Sequence, residues 1–245
     1  MSGSSISKEQ LLVFAYLKLV ADGDLPAVGL PEMARFALRR KQTVRFFCSE
    51  SADRVERALS GFVPHFARKP VLTRYVGGSW SCVESSAGLS IDITTAAGEI
   101  IALGRDSGLV GEVLDAEIEN AEEAGALFGY PACCIAAVGG LAQAGAAWPA
   151  ELVRRSPEVG GTAKANRLPV DWGGLSPVGE LFPCSLACPM AAAIGFDGYD
   201  SLQRLGLNSL ADCLIHHAES AFHIDEKGRA RPSQAGVPGA TQFAW

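Results

Sequence analysis

Of the seven cysteines in this 245-residue chain, four fall in two short pairs: Cys133 and Cys134 in "FGYPACC", and Cys184 and Cys188 in "FPCSLACP". The thiolate is the metal ligand and nucleophile of cysteine chemistry, so two such pairs beside prolines point to a metal-thiolate centre or to thiol exchange. Pro131 follows Gly129, a natural helix terminator, and suits the first position of a new helix, which puts Cys133 and Cys134 in its first turn. Pro189 also suits a helix start, because the residue ahead of a proline is pushed out of helical geometry. Cys188 then falls at an N-cap and Cys184 in the loop before it. All four sulfurs are thereby expected near helix N-termini, where free N–H groups and the positive dipole end favour thiolate over thiol. The stretches 124–150 and 181–196 carry no lysine or arginine. Backbone amides must therefore offset the thiolate charge, and a dry, buried site is expected.

A single zinc ion needs sulfurs about 3.8 Å apart, and zinc pairs are usually separated by two to four residues. Adjacent helical residues diverge by about 100°, which makes a vicinal pair awkward on one ion. An iron-sulfur cluster spreads its ligands over several irons, and four thiolates match its ordinary ligand count. The expectation is a four-iron (4Fe-4S) cluster on Cys133, Cys134, Cys184 and Cys188, serving redox or sulfur chemistry on a small molecule. With all four bound the cluster is saturated and suits electron transfer; with three, an open iron can take substrate. Two alternatives stay open: a non-catalytic, zinc-stabilised binding module, and a metal-free thiol-disulfide enzyme. Against all of these stands plain packing, since cysteine is among the most often buried residues.

The segments "GYPACC" and "PCSLAC" resemble an uncharacterised prokaryotic family whose members share G-Y-P-x-C-C and, downstream, P-C-S-x-x-C. The likeness covers Gly129 to Cys134 and Pro183 to Cys188 and implies that the four cysteines work as one unit, without supplying a reaction. The vicinal pair also looks like those that ligate clusters in a respiratory-complex subunit and in the cysteine-rich domains of disulfide reductases. This chain lacks the glycine expected after CC in the latter.

Beyond the cysteine pairs, "DCLIHHAESAFHID" gathers Asp212, Cys213, His216, His217, His223 and Asp225. On a helix Cys213 and His217 share one face, and Asp212 and His216 another. His216 and His217 are the candidate acid-base pair, and Cys213 or His217 a candidate extra ligand. An ordinary helix with partly exposed histidines is the plainer reading. Cys48 and Cys82 read as core residues of strands, with Cys82 also a possible ligand. Tyr130 is placed to donate a hydrogen bond to substrate or cluster sulfur, or to pack as a staple beside the helix start. The basic run "RFALRRKQTVR" (35–45) reads as a solvated helix end. No P-loop, dinucleotide fingerprint, zinc-protease helix or nucleophile elbow occurs.

Positioning these residues falls to an α+β fold. Ser7 to Asp22 reads as a helix with a Ser7/Gln10 capping box. Further elements are a helix over 31–40, a strand over 43–50 and a helix over 51–62 capped by Ser51. Period-two patterning over 80–105 predicts a small antiparallel unit with strands "SWSCVES", "LSIDITT" and "IIALGR" and a turn at "AAGE". Helices follow over 115–128, from 131 to about 145, from Pro189, and over 209–222, with a closing hairpin at "FHIDEKGRA". Residues 146–180 read as a long irregular connection. The organisation expected is an N-terminal helix and β portion, 1–112, then a helical cysteine-bearing portion, 113–245, with one compact domain overall as the alternative.

A net charge of −6 argues against broad nucleic-acid binding, which needs a basic face. Residues 124–150 hold no charge in 27 positions, but they are rich in Ala and Gly and broken by Gly129, Pro131 and Pro149, so a buried helix is expected rather than a membrane span. The first residues are expected to form an amphipathic helix rather than a signal peptide. The expected setting is the cytoplasm, where clustered cysteines bind metal or do chemistry, and the expected partners are a small-molecule substrate and an electron-donor protein.

Overall fold

The computed structural model describes residues 6–48, 51–76, 79–84, 95–143, 151–152, 154–155, 178–219, 222–224 and 230–232. The fold is α+β, as expected. Helices α1 (Lys8–Ala21), α2 (Leu30–Ala37) and α3 (Ala52–Leu59) alternate with the first strands of a sheet formed by β1 (Thr43–Cys48), β2 (His65–Val76), β3 (Ser79–Glu84) and β4 (Thr95–Gly104). A mainly helical portion follows: α4 (Ser107–Glu119), α5 (Ala121–Leu127), α6 (Ala132–Gln143), α7 (Pro189–Arg204) and α8 (Asn208–Glu219). The closing hairpin is present as β5 (Phe222–Ile224) paired with β6 (Ala230–Pro232).

The sheet is antiparallel throughout, in the order β1-β4-β2-β3. Strand β4 shows why its apolar run is continuous rather than alternating. Ile101 and Leu103 enter a core built with α1, α2, α3, α7 and α8, while Ile100 and Ala102 enter a second core with α4 and α5. A strand covered on both faces needs apolar side chains at successive positions. The first core joins Leu12 and Tyr16 near one end of the sequence to Ala211 and Leu214 near the other, so it draws on residues from both sides of position 112.

Several boundaries differ from expectation. The turn at "AAGE" lies inside β4, and Gly98 explains the misreading. A Cβ there would stand 2.5 Å from the Phe47 ring and 2.7 Å from the Cys48 carbonyl, so this glycine serves close approach, not chain reversal. Most of the expected strand at 89–95 lies outside the described residues, as does most of the connection over 146–180. Strand β2 was not anticipated because Arg68, Lys69 and Pro70 interrupt its pattern. Pro70 pairs with Glu99 of β4, and the described β3 pairing runs from Val71 to Val76. The helix expected over 115–128 is two helices, and the first starts eight residues earlier, at Ser107. Asp106 caps it by accepting the Leu109 N–H at 2.9 Å. Asn120 ends α4 and caps α5, its side chain accepting the N–H groups of Glu122 and Glu123.

The capping box of α1 forms as expected: Ser7 Oγ accepts the Gln10 N–H at 3.1 Å, and Gln10 Oε1 accepts the Ser7 N–H at 2.9 Å. Ser51 holds the N-cap position of α3, but no N–H of the helix bonds its side chain. The hydroxyl instead lies 3.4 Å from the buried Cys48 sulfur. Among the described residues no helix is long and apolar enough to cross a membrane.

Candidate metal centre

Local sequence rules place the first cysteine pair. Helix α5 ends in a Schellman motif, with Gly129 at φ +72°. The Gly129 N–H bonds the Ala126 carbonyl and the Tyr130 N–H bonds the Gly125 carbonyl, both at 2.9 Å. That left-handed step falls to glycine because a Cβ penalises it. Pro131 then stands one position ahead of α6, not at its first residue, and its carbonyl accepts from both Cys134 N–H (2.8 Å) and Ile135 N–H (3.0 Å). Cys133 and Cys134 occupy the first turn. The second pair follows its prediction closely: Pro189 opens α7, Cys188 is the N-cap, and its sulfur accepts the Ala191 N–H at 3.5 Å.

These two helix starts face each other. The sulfurs of Cys133, Cys134, Cys184 and Cys188 all lie within 4.8 Å of one another. Three pairs are closer still: Cys133 to Cys134 at 3.9 Å, Cys133 to Cys188 at 3.8 Å and Cys134 to Cys188 at 3.7 Å. The divergence of adjacent helical residues is therefore no obstacle, since rotation about Cα–Cβ brings both sulfurs to one point. The site is less buried than expected. Cys134 and Cys188 are 1% and 3% exposed, Cys184 is half-buried and Cys133 is exposed. Val178, Leu181 and Ala191 form the apolar floor with the two buried cysteines.

As plain thiols Cys134, Cys184 and Cys188 do not ionise together. Burial pushes the Cys134 thiol well up, although the Cys184 backbone N–H opposes it. Burial and the neighbouring Cys188 and Cys133 sulfurs push Cys184 up to about 11. Burial acts on Cys188 in the same sense, but the Ala191 N–H and the surrounding sulfurs outweigh it and hold that thiol below its ordinary value. Four sulfurs this close repel one another as thiolates, and a cation bound to all of them removes that conflict. The donor set fits a metal.

A second polar cluster, missed at the sequence level, lies behind the site. Glu32 of α2 is 3% exposed and Lys41 5%. Their charged groups are 3.4 Å apart. Glu32 Oε1 accepts the Tyr130 O–H at 2.9 Å and the Glu180 N–H at 3.2 Å. Lys41 donates to the Phe128 carbonyl at 2.9 Å and lies over the Phe128 and Tyr130 rings. Arg45 pairs with Glu117 at 2.9 Å and with Glu180. Burial disfavours the Glu32 carboxylate, but Lys41, the Tyr130 hydroxyl and Arg45 hold its pKa below the usual range. Burial and the Glu32 carboxylate push the Tyr130 phenol well above its ordinary value despite Arg45, so Tyr130 remains an O–H donor. It serves Glu32 rather than a cysteine sulfur.

The basic run 35–45 is thus no solvated helix end. Arg35 and Arg40 reach Asp197 of α7 at 2.6 and 2.7 Å, and Lys41 and Arg45 enter the buried cluster. One sequence signal was available: Glu32 is an acid inside "LPEMARFA", a short helix most of whose residues are buried. Cys48 is core, 2% exposed. Asp212 and Cys213 are exposed on α8. His216 and His217 also lie on α8, but their side chains fall outside the described residues, as do those of Cys82 and His223 and the whole of Asp225. Comparison of the chain with protein-family models, with curated proteins and with solved structures finds no match, so the four-sulfur geometry carries the functional argument by itself.

Proposed function

We propose that the protein is a metalloprotein in which Cys133, Cys134, Cys184 and Cys188 bind one tetrahedrally coordinated ion, zinc first, that ties the start of α6 to the start of α7. The sulfur spacing carries this reading. Three of the separations are 3.7–3.9 Å, and a tetrahedral ion with bonds of about 2.3 Å spaces its sulfurs by about 3.8 Å. A four-iron cluster puts each thiolate on a different iron around a sulfide-bearing cube and holds them farther apart. The helix-start N–H groups supply hydrogen bonds that temper the excess negative charge of a tetrathiolate.

A second reading is favoured by the exposure of Cys133 and the loop position of Cys184. In it the same cysteines hold an iron-sulfur cluster whose open edge does redox or sulfur chemistry on a small molecule. An electron-donor protein would supply reducing equivalents, and His216 or His217 would assist proton transfer. Anaerobic purification of wild type and of Cys133→Ser/Cys184→Ser separates the two, with zinc, iron and acid-labile sulfide quantified. About one equivalent of metal without sulfide, lost in the variant, is expected. Iron accompanied by matching sulfide overturns the single-ion reading in favour of the cluster; absence of any metal overturns both and leaves thiol exchange.

A further inference from the structure

We infer that Glu32 is the positioning residue of the four-cysteine centre: its one buried carboxylate grips the chain just ahead of both cysteine pairs. The inference rests on the metal-centre reading. Tyr130 lies three residues before Cys133, and Glu180 four residues before Cys184. Both bond the same oxygen, Glu32 Oε1, one through its side-chain O–H and the other through its backbone N–H. Two segments about fifty residues apart in sequence are thereby registered against one atom of α2, which supplies no sulfur itself.

Two further contacts make the grip specific. Lys41 charges and orients Glu32 from one side while donating to the carbonyl of Phe128, the C-cap residue just after α5. That carbonyl belongs to a helix C-terminus, where backbone acceptors lack partners and favour a cation. On the other side Gly179 packs directly on the carboxylate. It sits at φ +64°, and a Cβ there would fall 2.6 Å from Glu32 Cγ and 2.9 Å from Oε1. Any other residue at 179 meets both a strained backbone and the side chain of Glu32. The approach to Cys184 is shaped to this acid as closely as the approach to Cys133 is bonded to it.

Groups that orient metal ligands without touching the ion commonly change affinity by about 10–100-fold when removed. Tyr130→Phe deletes one oxygen and keeps the ring, and Gly179→Ala pushes the loop off Glu32. Each is expected to weaken Zn(II) binding, measured by competition with a chromophoric chelator, by at least about tenfold. Each should also alter the visible bands of the Co(II)-loaded protein, which report the thiolate geometry. Val55→Ala, a cavity variant in the core shared by α1 and α3, lowers stability but should leave both readouts unchanged. Far-UV circular dichroism checks folding, and two independent variants guard against one that fails to fold. Wild-type affinity and unchanged Co(II) spectra in Tyr130→Phe and Gly179→Ala overturn the inference alone. A wild type that takes up neither ion overturns the metal-centre reading and this inference with it.

Discussion

The protein holds two polar clusters, built on opposite plans. Around Glu32 every charge meets an opposite charge or a hydrogen bond supplied by the chain: Lys41 faces Glu32 and the Phe128 carbonyl, Arg45 faces Glu117 and Glu180, and Tyr130 donates to Glu32. Around Cys188 four sulfurs converge, and the stretches that carry them, 124–150 and 181–196, hold no lysine or arginine, so backbone N–H groups such as that of Ala191 meet the sulfur. One cluster meets its charges with protein charges, although the buried Arg45 Nε has no hydrogen-bond partner among the described residues; the other is a donor set that could hold an ion. Thiols are weak donors and weak acceptors, so closing four of them together makes little sense as hydrogen bonding. The contrast separates a cluster that neutralises its own charges from one that can hold an ion, with Tyr130 and the 178–181 segment joining them.

Breaking the closed cluster should have the largest effect. Lys41→Met leaves the Glu32 carboxylate buried without its counter-ion, and removing one member of such a pair typically costs about 3–5 kcal/mol. Urea denaturation is expected to show that loss in metal-free and metal-loaded protein alike. The double variant Glu32→Leu/Lys41→Met should recover much of it, because the unpaired charge is gone. Equal instability of the single and double variants would show that the pair does not act as a closed unit.

Acid sharpens the same contrast more gently. The folded-state pKa of Glu32 is lowered, so its contribution is present above the unfolded carboxylate value of about 4.3 and is lost as pH falls through the lower folded value. In metal-free protein, stability should hold down to the usual carboxylate range and fall below it, and Glu32→Gln should flatten that decline. A metal-loaded sample should release its ion at higher pH than this, because protons compete directly for thiolates. Thermal melts and metal release followed across pH 3–7, a window chosen about those values, would expose any reversal of that order.

The smallest effect tests independence. Ser7→Ala removes the cap of α1, remote from both clusters, and should cost about 1 kcal/mol. Thermal unfolding should register it while Zn(II) affinity stays that of the wild type.

The two clusters were not equally legible in the sequence. Cysteine type, pairing and flanking prolines each carry local rules, and these located all four sulfurs, the N-cap at Cys188 and the left-handed step at Gly129. Helix α1, strand β1 and the end of β4 followed from the same kind of local signal at Ser7, Thr43 and the Ile100–Leu103 run, whereas β2 and the order of the sheet did not. The Glu32 cluster obeys no local rule. Its members come from positions 32, 41, 45, 117, 130 and 180, and an isolated Lys41 reads the same in sequence whether it meets water or a buried acid. Gly98 and Gly179 show the other limit: each is a glycine because of what another segment brings against it, which periodicity cannot reveal.

The core that unites Leu12 and Tyr16 with Ala211 and Leu214 also bears on how the chain is made. At ribosomal speeds of about 5–20 residues per second, α1 and α2 emerge about 10–40 s before the last helices that cover them. Tyr130 and Glu180, which bond Glu32, follow it by about 100 and about 150 residues, so the buried carboxylate waits for both cysteine segments to emerge. Cys188, the last of the four thiols, precedes α8, so all four sulfurs leave the ribosome before the helix that completes the first core.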